Sequence, residues 1–210
     1  MITCCYTEIK RQWSEQELSD KLMLMPEGFR QQAMRNRQWI DRQLTISGKL
    51  LLMWLLKERQ SELALDDIRS TSYHRPYFES GPDFNIAHSG NVVICCTTDT
   101  GRIGIDIEEI KEINLSDFTD YFTSNEWRCI NQYPNKFDGF YDFWTRKEAV
   151  IKAIGTGFYT PLSTVDVSGE SLPYDEMVYH LKSLPISAAY KCHIASTHAR
   201  ANVSITRVDL

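Results

Sequence analysis

In the stretch Ile103-Gly104-Ile105-Asp106-Ile107-Glu108, three isoleucines alternate with a glycine and two carboxylates. Side chains of an extended chain point to opposite faces in turn. This pattern therefore folds as a strand that buries its isoleucines and sets Gly104, Asp106 and Glu108 on the other face. Asp106 and Glu108 then stand side by side, their Cα atoms roughly 6.5–7 Å apart. Glu109 falls on the opposite face and is left out of any site built on the pair.

Further along, Trp144-Thr145-Arg146-Lys147-Glu148-Ala149-Val150-Ile151-Lys152-Ala153-Ile154-Gly155-Thr156-Gly157 reads as a helix. Trp144, Glu148 and Lys152 share one face at i, i+4 and i+8. A third carboxylate and a lysine thus become available to the first two. Three carboxylates beside an ammonium suit a hard divalent cation bound to a phosphate-bearing substrate. Each fragment alone is weak: paired surface carboxylates are common, and Glu148 with Lys152 also fits a routine helix ion pair.

A chain of 210 residues, 42% hydrophobic and 24% charged, is long enough to bury a sizeable core in one large domain or two small ones. Its net charge of −5 argues against a dedicated nucleic-acid binder. Cys4-Cys5, Cys95-Cys96, Cys129 and Cys192 include no C-x-x-C pair, and no histidine pattern completes a zinc site. They read as buried free thiols of a reducing compartment. Glu8, Lys10 and Arg11 interrupt any signal-peptide pattern, and the longest apolar run, residues 50–56, is far short of the roughly 20 residues of a membrane span. A soluble, cytoplasmic protein without membrane association is expected.

The chain opens with a strand over residues 2–9. Ser14 heads a capping-box pattern for a helix to about residue 25, where Pro26 breaks it. Residues 27–58 are helix-prone, with Gly48 as the expected joint. The first half of this segment is basic (Arg30, Arg35, Arg37, Arg42); the second is apolar almost all round. Strands are expected at 68–73, 85–87, 92–97 and 103–108, helices after Ser124 and over 140–154, and strands at 165–167, 177–181, 190–194 and 203–208. Gly155 and Gly157 are placed to end the 140–154 helix. This order gives an α+β fold of two halves, residues 1–100 and 101–210, meeting near 98–101.

The spacing Gly-Ile-Asp-x-Glu followed by Trp-x-x-Lys-Glu-Ala-x-x-Lys-x-x-Gly-x-Gly closely resembles the 4′-phosphopantetheinyl transferases, specifically the surfactin-synthetase-activating type. Three further segments match in order. Tyr73-His74-Arg75-Pro76 is similar to the family's Gly-Lys-Pro segment, with Arg75 for the lysine. Phe84-Asn85-Ile86-Ala87-His88-Ser89-Gly90 is similar to its Phe-Asn-x-Ser-His-Ser motif, and Tyr121-Phe122-Thr123-Ser124-Asn125-Glu126 to its Phe-Phe-Ser-x-x-Glu segment. The likeness covers roughly residues 73–157 and is vaguer in the Arg-rich helix.

The resemblance implies Mg2+-dependent transfer of the phosphopantetheine arm of coenzyme A to a serine of an apo acyl or peptidyl carrier protein, releasing adenosine 3′,5′-bisphosphate. It also implies a monomer whose halves form an intramolecular pseudo-dimer. By residue-wise correspondence Asp106, Glu108 and Glu148 are the metal set and Lys152 contacts the diphosphate. His88 contacts coenzyme A phosphates; Ala87 replaces a serine, so a hydroxyl contact to substrate is either missing or supplied by Ser89. Arg75 pairs with the 3′-phosphate or adenosine end. Leu44 occupies the place of a basic residue, so Arg42 substitutes or a contact is lost; Arg30 and Arg35 are further cationic candidates. Glu148 is the first candidate for the base that takes the serine proton and Glu126 the second. The departures at Ala87 and Leu44 leave one alternative, a non-catalytic module that binds coenzyme A or a carrier protein.

Overall fold

A computed structural model describes residues 1–210, the side chain of Phe158 excepted. The chain begins with β1 (Ile2–Glu8) and three helices, α1 (Glu15–Met23), α2 (Glu27–Met34) and α3 (Trp39–Glu58). Ser14 and Glu17 close the expected capping box on α1. The helix-prone segment breaks at residues 35–38 and not at Gly48. There the Asn36 side chain donates to Thr45 Oγ1 at 2.9 Å and Arg42 donates to the Asn36 carbonyl at 3.0 Å. Such local side-chain bonds offer the backbone an alternative to continuing the helix. Gly48 lies inside α3, where a Cβ would stand 2.9 Å from Ile86 Cγ2; the glycine admits a strand, not a bend.

Then come β2 (Ile68–Ser70), β3 (Pro76–Phe78), β4 (Asp83–Ser89), β5 (Val92–Thr98) and β6 (Ile103–Glu109). They are followed by α4 (Ser124–Ile130), α5 (Lys136–Ile154), β7 (Ser171–Tyr174), β8 (Met177–Ser183), β9 (Tyr190–Ser196) and β10 (Val203–Arg207). One sheet has the order β10-β1-β5-β4, the other β6-β9-β8-β7, and β2 and β3 form a separate pair. The two sheets divide between β5 and β6. The boundary expected from sequence needs one correction, because the last strand returns to the first sheet: Ile2 to Tyr6 pair in parallel with Val203 to Arg207. The expected strand at 165–167 is absent. The backbone there meets buried side chains instead of a neighbouring strand: Lys147 Nζ donates to the Val165 carbonyl, and the Val167 N–H donates to Glu126 Oε1 at 2.8 Å.

Helix α3 covers β1 and β5, and α5 covers β6 and β9. The opposite faces share a third core, in which Ile103, Ile105 and Ile107 pack with Ile2, Cys4, Ala87 and Ile94. The alternation of the strand is thereby resolved: isoleucines toward the first sheet, Gly104 and Asp106 toward α5. A Cβ on Gly104 would stand 2.0 Å from the Ala149 carbonyl oxygen and 2.5 Å from the Ala153 nitrogen, so the glycine lets α5 lie directly on β6. Cys4, Cys5, Cys95, Cys96 and Cys192 are buried and free, and Cys129 is free and partly exposed. No helix among the described residues is long and apolar enough to cross a membrane.

The outer edges of the two sheets, β4 and β6, meet without a backbone ladder. Three side chains on the β6-facing side of β4 bridge them. Asp83 Oδ2 accepts the Ile103 N–H at 2.8 Å, Asn85 Oδ1 the Ile105 N–H at 3.0 Å, and Ser89 Oγ the Glu109 N–H at 3.1 Å. Edge groups that would otherwise be buried unpaired are satisfied in this way.

Candidate active site at the junction of the sheets

Where β4, β6 and α5 converge, Lys152 Nζ donates to Asp106 Oδ1 at 2.5 Å, and Ser89 Oγ donates to Glu108 Oε2 at 2.6 Å. Glu148, one turn before Lys152 on α5, lines an adjoining cleft of about 260 Å³ with Asn85, Ile151 and Lys152. Tyr73 and the exposed Tyr159 pack edge to face at its rim, ring centroids 5.1 Å apart. Trp144 is a packing anchor, stacked with Phe140 and edge-on to Phe118 and Tyr121.

Burial pushes the pKa of Asp106 up, and the attraction of Lys152 offsets this only partly. Burial also raises Glu108, against the hydrogen bond from Ser89, and raises Glu148, to which the charge of Asp106 adds. For Lys152 burial works downward, but Asp106, Glu148 and Glu108 outweigh it and hold the ammonium above its ordinary range. His88 stands at the exposed rim with its pKa lowered by the surrounding protein and by Lys152.

The cluster therefore holds three acids against one lysine. Asp106 Oδ2 is buried without a hydrogen-bond partner. A buried carboxylate oxygen without a donor, in a pocket with excess negative charge, fits a hard cation. The acids are not a closed cage: among the described residues no three histidine, cysteine or carboxylate side chains converge as a ready metal site. Lys152 and Ser89 occupy one oxygen each of Asp106 and Glu108.

The family description "4′-phosphopantetheinyl transferase superfamily" matches residues 102–205. The chain is similar to the 4′-phosphopantetheinyl transferase Sfp of Bacillus subtilis (strain 168), 32% identical over 182 residues and 80% of each chain. The chain belongs to the 4′-phosphopantetheinyl transferase superfamily. The transferase gsp of Aneurinibacillus migulanus is 30% identical over 153 residues, 68% of this chain and 63% of its own. The transferase ffp of Bacillus subtilis is 29% identical over 208 residues, 92% of each chain.

Several residues singled out in this transferase from its sequence lie elsewhere than expected. Glu126 is not in the cleft. It is fully buried, ion-paired with the equally buried Lys147 at 2.8 Å, and accepts the Thr123 and Val167 N–H groups at 2.8 Å each, which leaves no route to a serine proton. Arg75 lines the cleft, but its guanidinium is committed to Asp83 and three carbonyls, so it is not a free phosphate clamp. Ser89 is spent on Glu108 and the Glu109 N–H. Arg30 Nε donates to the Met25 carbonyl at 2.7 Å, and Arg42 holds the α2–α3 turn, its Nε buried without a partner. Arg35 is exposed, and Leu44 belongs to the α3 core. Ala87 is buried between the sheets on the β6 side of β4, so a hydroxyl there would face β6 and not solvent.

Sequence reading missed Asp83 and Asn85. Their signal was present as two polar residues on one face of a strand, alternating with the apolar Phe84 and Ile86. It also missed a buried network behind Asp106, in which Thr145 Oγ1 lies 2.8 Å from His193 Nδ1 and Asp142 Oδ1 lies 3.7 Å from His193 Nε2. Burial, against the pull of Asp142, lowers the His193 pKa from 6.5 to about 4. The unfolded chain binds this proton more readily than the native one, so His193 costs nothing above its unfolded pKa and destabilises the fold as pH falls toward 4. The loss amounts to about 2 kcal/mol between about pH 7 and pH 4.5. Denaturant titrations of the wild type and His193→Gln across this range are expected to show a shallower decline in the variant. Parallel curves would assign the acid sensitivity elsewhere.

Proposed function

We propose that this enzyme moves the 4′-phosphopantetheine arm of coenzyme A onto a serine of an apo acyl or peptidyl carrier protein, with Mg2+ and release of adenosine 3′,5′-bisphosphate. The observation that carries the reading is the charge cluster of Asp106, Glu108, Glu148 and Lys152 at the sheet junction of a family member. Asp106, Glu108 and Glu148 are the residues that would hold the metal. When bound, Mg2+ supplies charge neutralisation to a diphosphate and to the leaving phosphate.

Lys152, kept charged by the acids around it, offers a point charge to a diphosphate oxygen. His88 at the rim is the candidate for a further phosphate contact. In the transfer, the serine oxygen bonds to the arm's phosphorus as the bond from that phosphorus to the bridging oxygen breaks. The serine proton passes to a Glu148 carboxylate oxygen. Glu148 is the candidate for this role because it lines the cleft one helical turn before Lys152, within the same charge cluster. The two sheets form a pseudo-dimer within one polypeptide, and the enzyme acts as a cytoplasmic monomer without nucleic-acid or membrane partners.

The test is to incubate the purified protein with Mg2+, coenzyme A and apo carrier proteins from fatty-acid, polyketide and peptide synthesis, and to weigh the products intact. A gain of one phosphopantetheine on at least one carrier is expected. Unmodified carriers throughout, with coenzyme A still bound, would replace this reading by the non-catalytic binding module.

A further inference from the structure

The side chain of Arg75 is 4% exposed and serves both halves of the site. Its Nη1 and Nη2 donate to Asp83 Oδ1 and Oδ2 at 2.8 and 2.7 Å, in the bidentate geometry that a guanidinium favours and an ammonium cannot copy. Nη2 also donates to the Ile103 carbonyl at 3.0 Å, while Asp83 Oδ2 accepts the Ile103 N–H at 2.8 Å. Both of these backbone groups of Ile103, the first residue of β6, are thus held by one ion pair.

Nε donates to the Lys152 carbonyl at 3.0 Å. That carbonyl lies in the last turn of α5, where the helix has no partner for it. The arginine stem reaches it by crossing Gly155, where a Cβ would stand 2.3 Å from Arg75 Cδ. Gly155 is the left-handed C-terminal cap of α5, at φ 85°. One guanidinium therefore ties the strand that carries Asp106 to the helical turn that carries Lys152.

We propose that Arg75, locked by Asp83, is a positioning residue for the transfer: it fixes the Lys152 turn against the Asp106 strand and is not itself a ligand for coenzyme A. The inference rests on the transferase reading of the cluster. A small displacement of a group that must meet a developing charge costs rate while leaving ground-state affinity nearly intact.

The test compares the wild type with Arg75→Lys, Asp83→Asn and the double variant. Coenzyme A is titrated at saturating carrier protein, and rates are expressed per folded molecule as judged by thermal melting. In each variant kcat is expected to fall about tenfold or more, with KM for coenzyme A within about twofold of the wild type. The double variant should be no worse than either single one, because both substitutions break one unit. A rise in KM at unchanged kcat for Arg75→Lys, with Asp83→Asn silent, would show a direct phosphate ligand and overturn the proposal. Unchanged kcat in every folded variant would overturn it as well, leaving only a stability role.

A second measurement needs no variant. The Nε–H resonance of Arg75 in the wild-type protein is expected to exchange slowly with solvent and to stay in place at saturating coenzyme A; fast exchange or a large shift would exclude the clamp. A wild type inactive on every carrier would sink the transferase reading, while this resonance would still judge the clamp.

Discussion

Asp106→Asn is expected to reduce kcat/KM by about 10³-fold or more, roughly 4 kcal/mol of transition-state stabilisation, without unfolding the protein. The substitution is nearly isosteric and acts at two points. It removes the carboxylate whose Oδ1 holds Lys152 Nζ at 2.5 Å, so the lysine loses its nearest counter-charge. It also replaces the buried, unpartnered Oδ2, the oxygen best placed to meet a cation. The effect on stability should be smaller. Relief of the buried Asp106 charge is offset by the loss of a counter-charge for Lys152, which keeps Glu148 and Glu108 nearby. The midpoint of thermal unfolding is expected to move by only a few degrees, about 1 kcal/mol or less. Intact-mass kinetics over a range of Mg2+ concentrations, with melting curves on the same samples, measure both effects. A variant that keeps a tenth of wild-type activity, or one that loses activity only because it unfolds, would remove Asp106 from the chemistry.

The second large effect concerns stability alone. Lys147→Met should cost about 3–5 kcal/mol, because it strands a fully buried Glu126 without its counter-charge. Both side chains of the pair are 0% exposed and lie 2.8 Å apart. Burial lowers the pKa of Lys147, and the hydrogen bond it donates to Glu126 opposes that shift. Lys147 also donates to the Leu162 and Val165 carbonyls, and Glu126 accepts from the Thr123 and Val167 N–H groups. The pair therefore anchors the irregular segment after α5 as well as the start of α4. Lys147→Met combined with Glu126→Leu is expected to recover part of the loss. It removes the stranded charge but leaves those backbone groups unpaired. Urea denaturation resolves differences of this size. A loss below about 1 kcal/mol for the single variant would mean that water reaches the pair.

Glu126 and Lys147 also mark where sequence reading stops. Both lie in segments that match the family motif, and a motif match cannot separate a residue that touches substrate from one that holds the fold. Glu126 fits a base as well as a buried counter-ion until its surroundings are known. Arg75 shows the same limit, since a positive charge beside a proline is open to phosphate or to a carboxylate. Asp83, eight residues later in the chain, supplies the carboxylate. The expected joint at Gly48 failed for a related reason. Glycine weakens a helix, but it also admits a neighbour, and Ile86 is that neighbour.

The alternation of Ile103–Glu109, the helical recurrence of Glu148 and Lys152, and the glycines at 104 and 155 were decided by the sequence itself. Each depends on the short-range geometry of a strand or a helix, which fixes which side chains share a face. Tertiary structure alone decided that the last strand rejoins the first sheet, that β4 and β6 meet through side chains, and which cations are already spent. Those outcomes are set by contacts between residues far apart in the chain, where a buried polar group takes whichever partner spares it from being left unpaired.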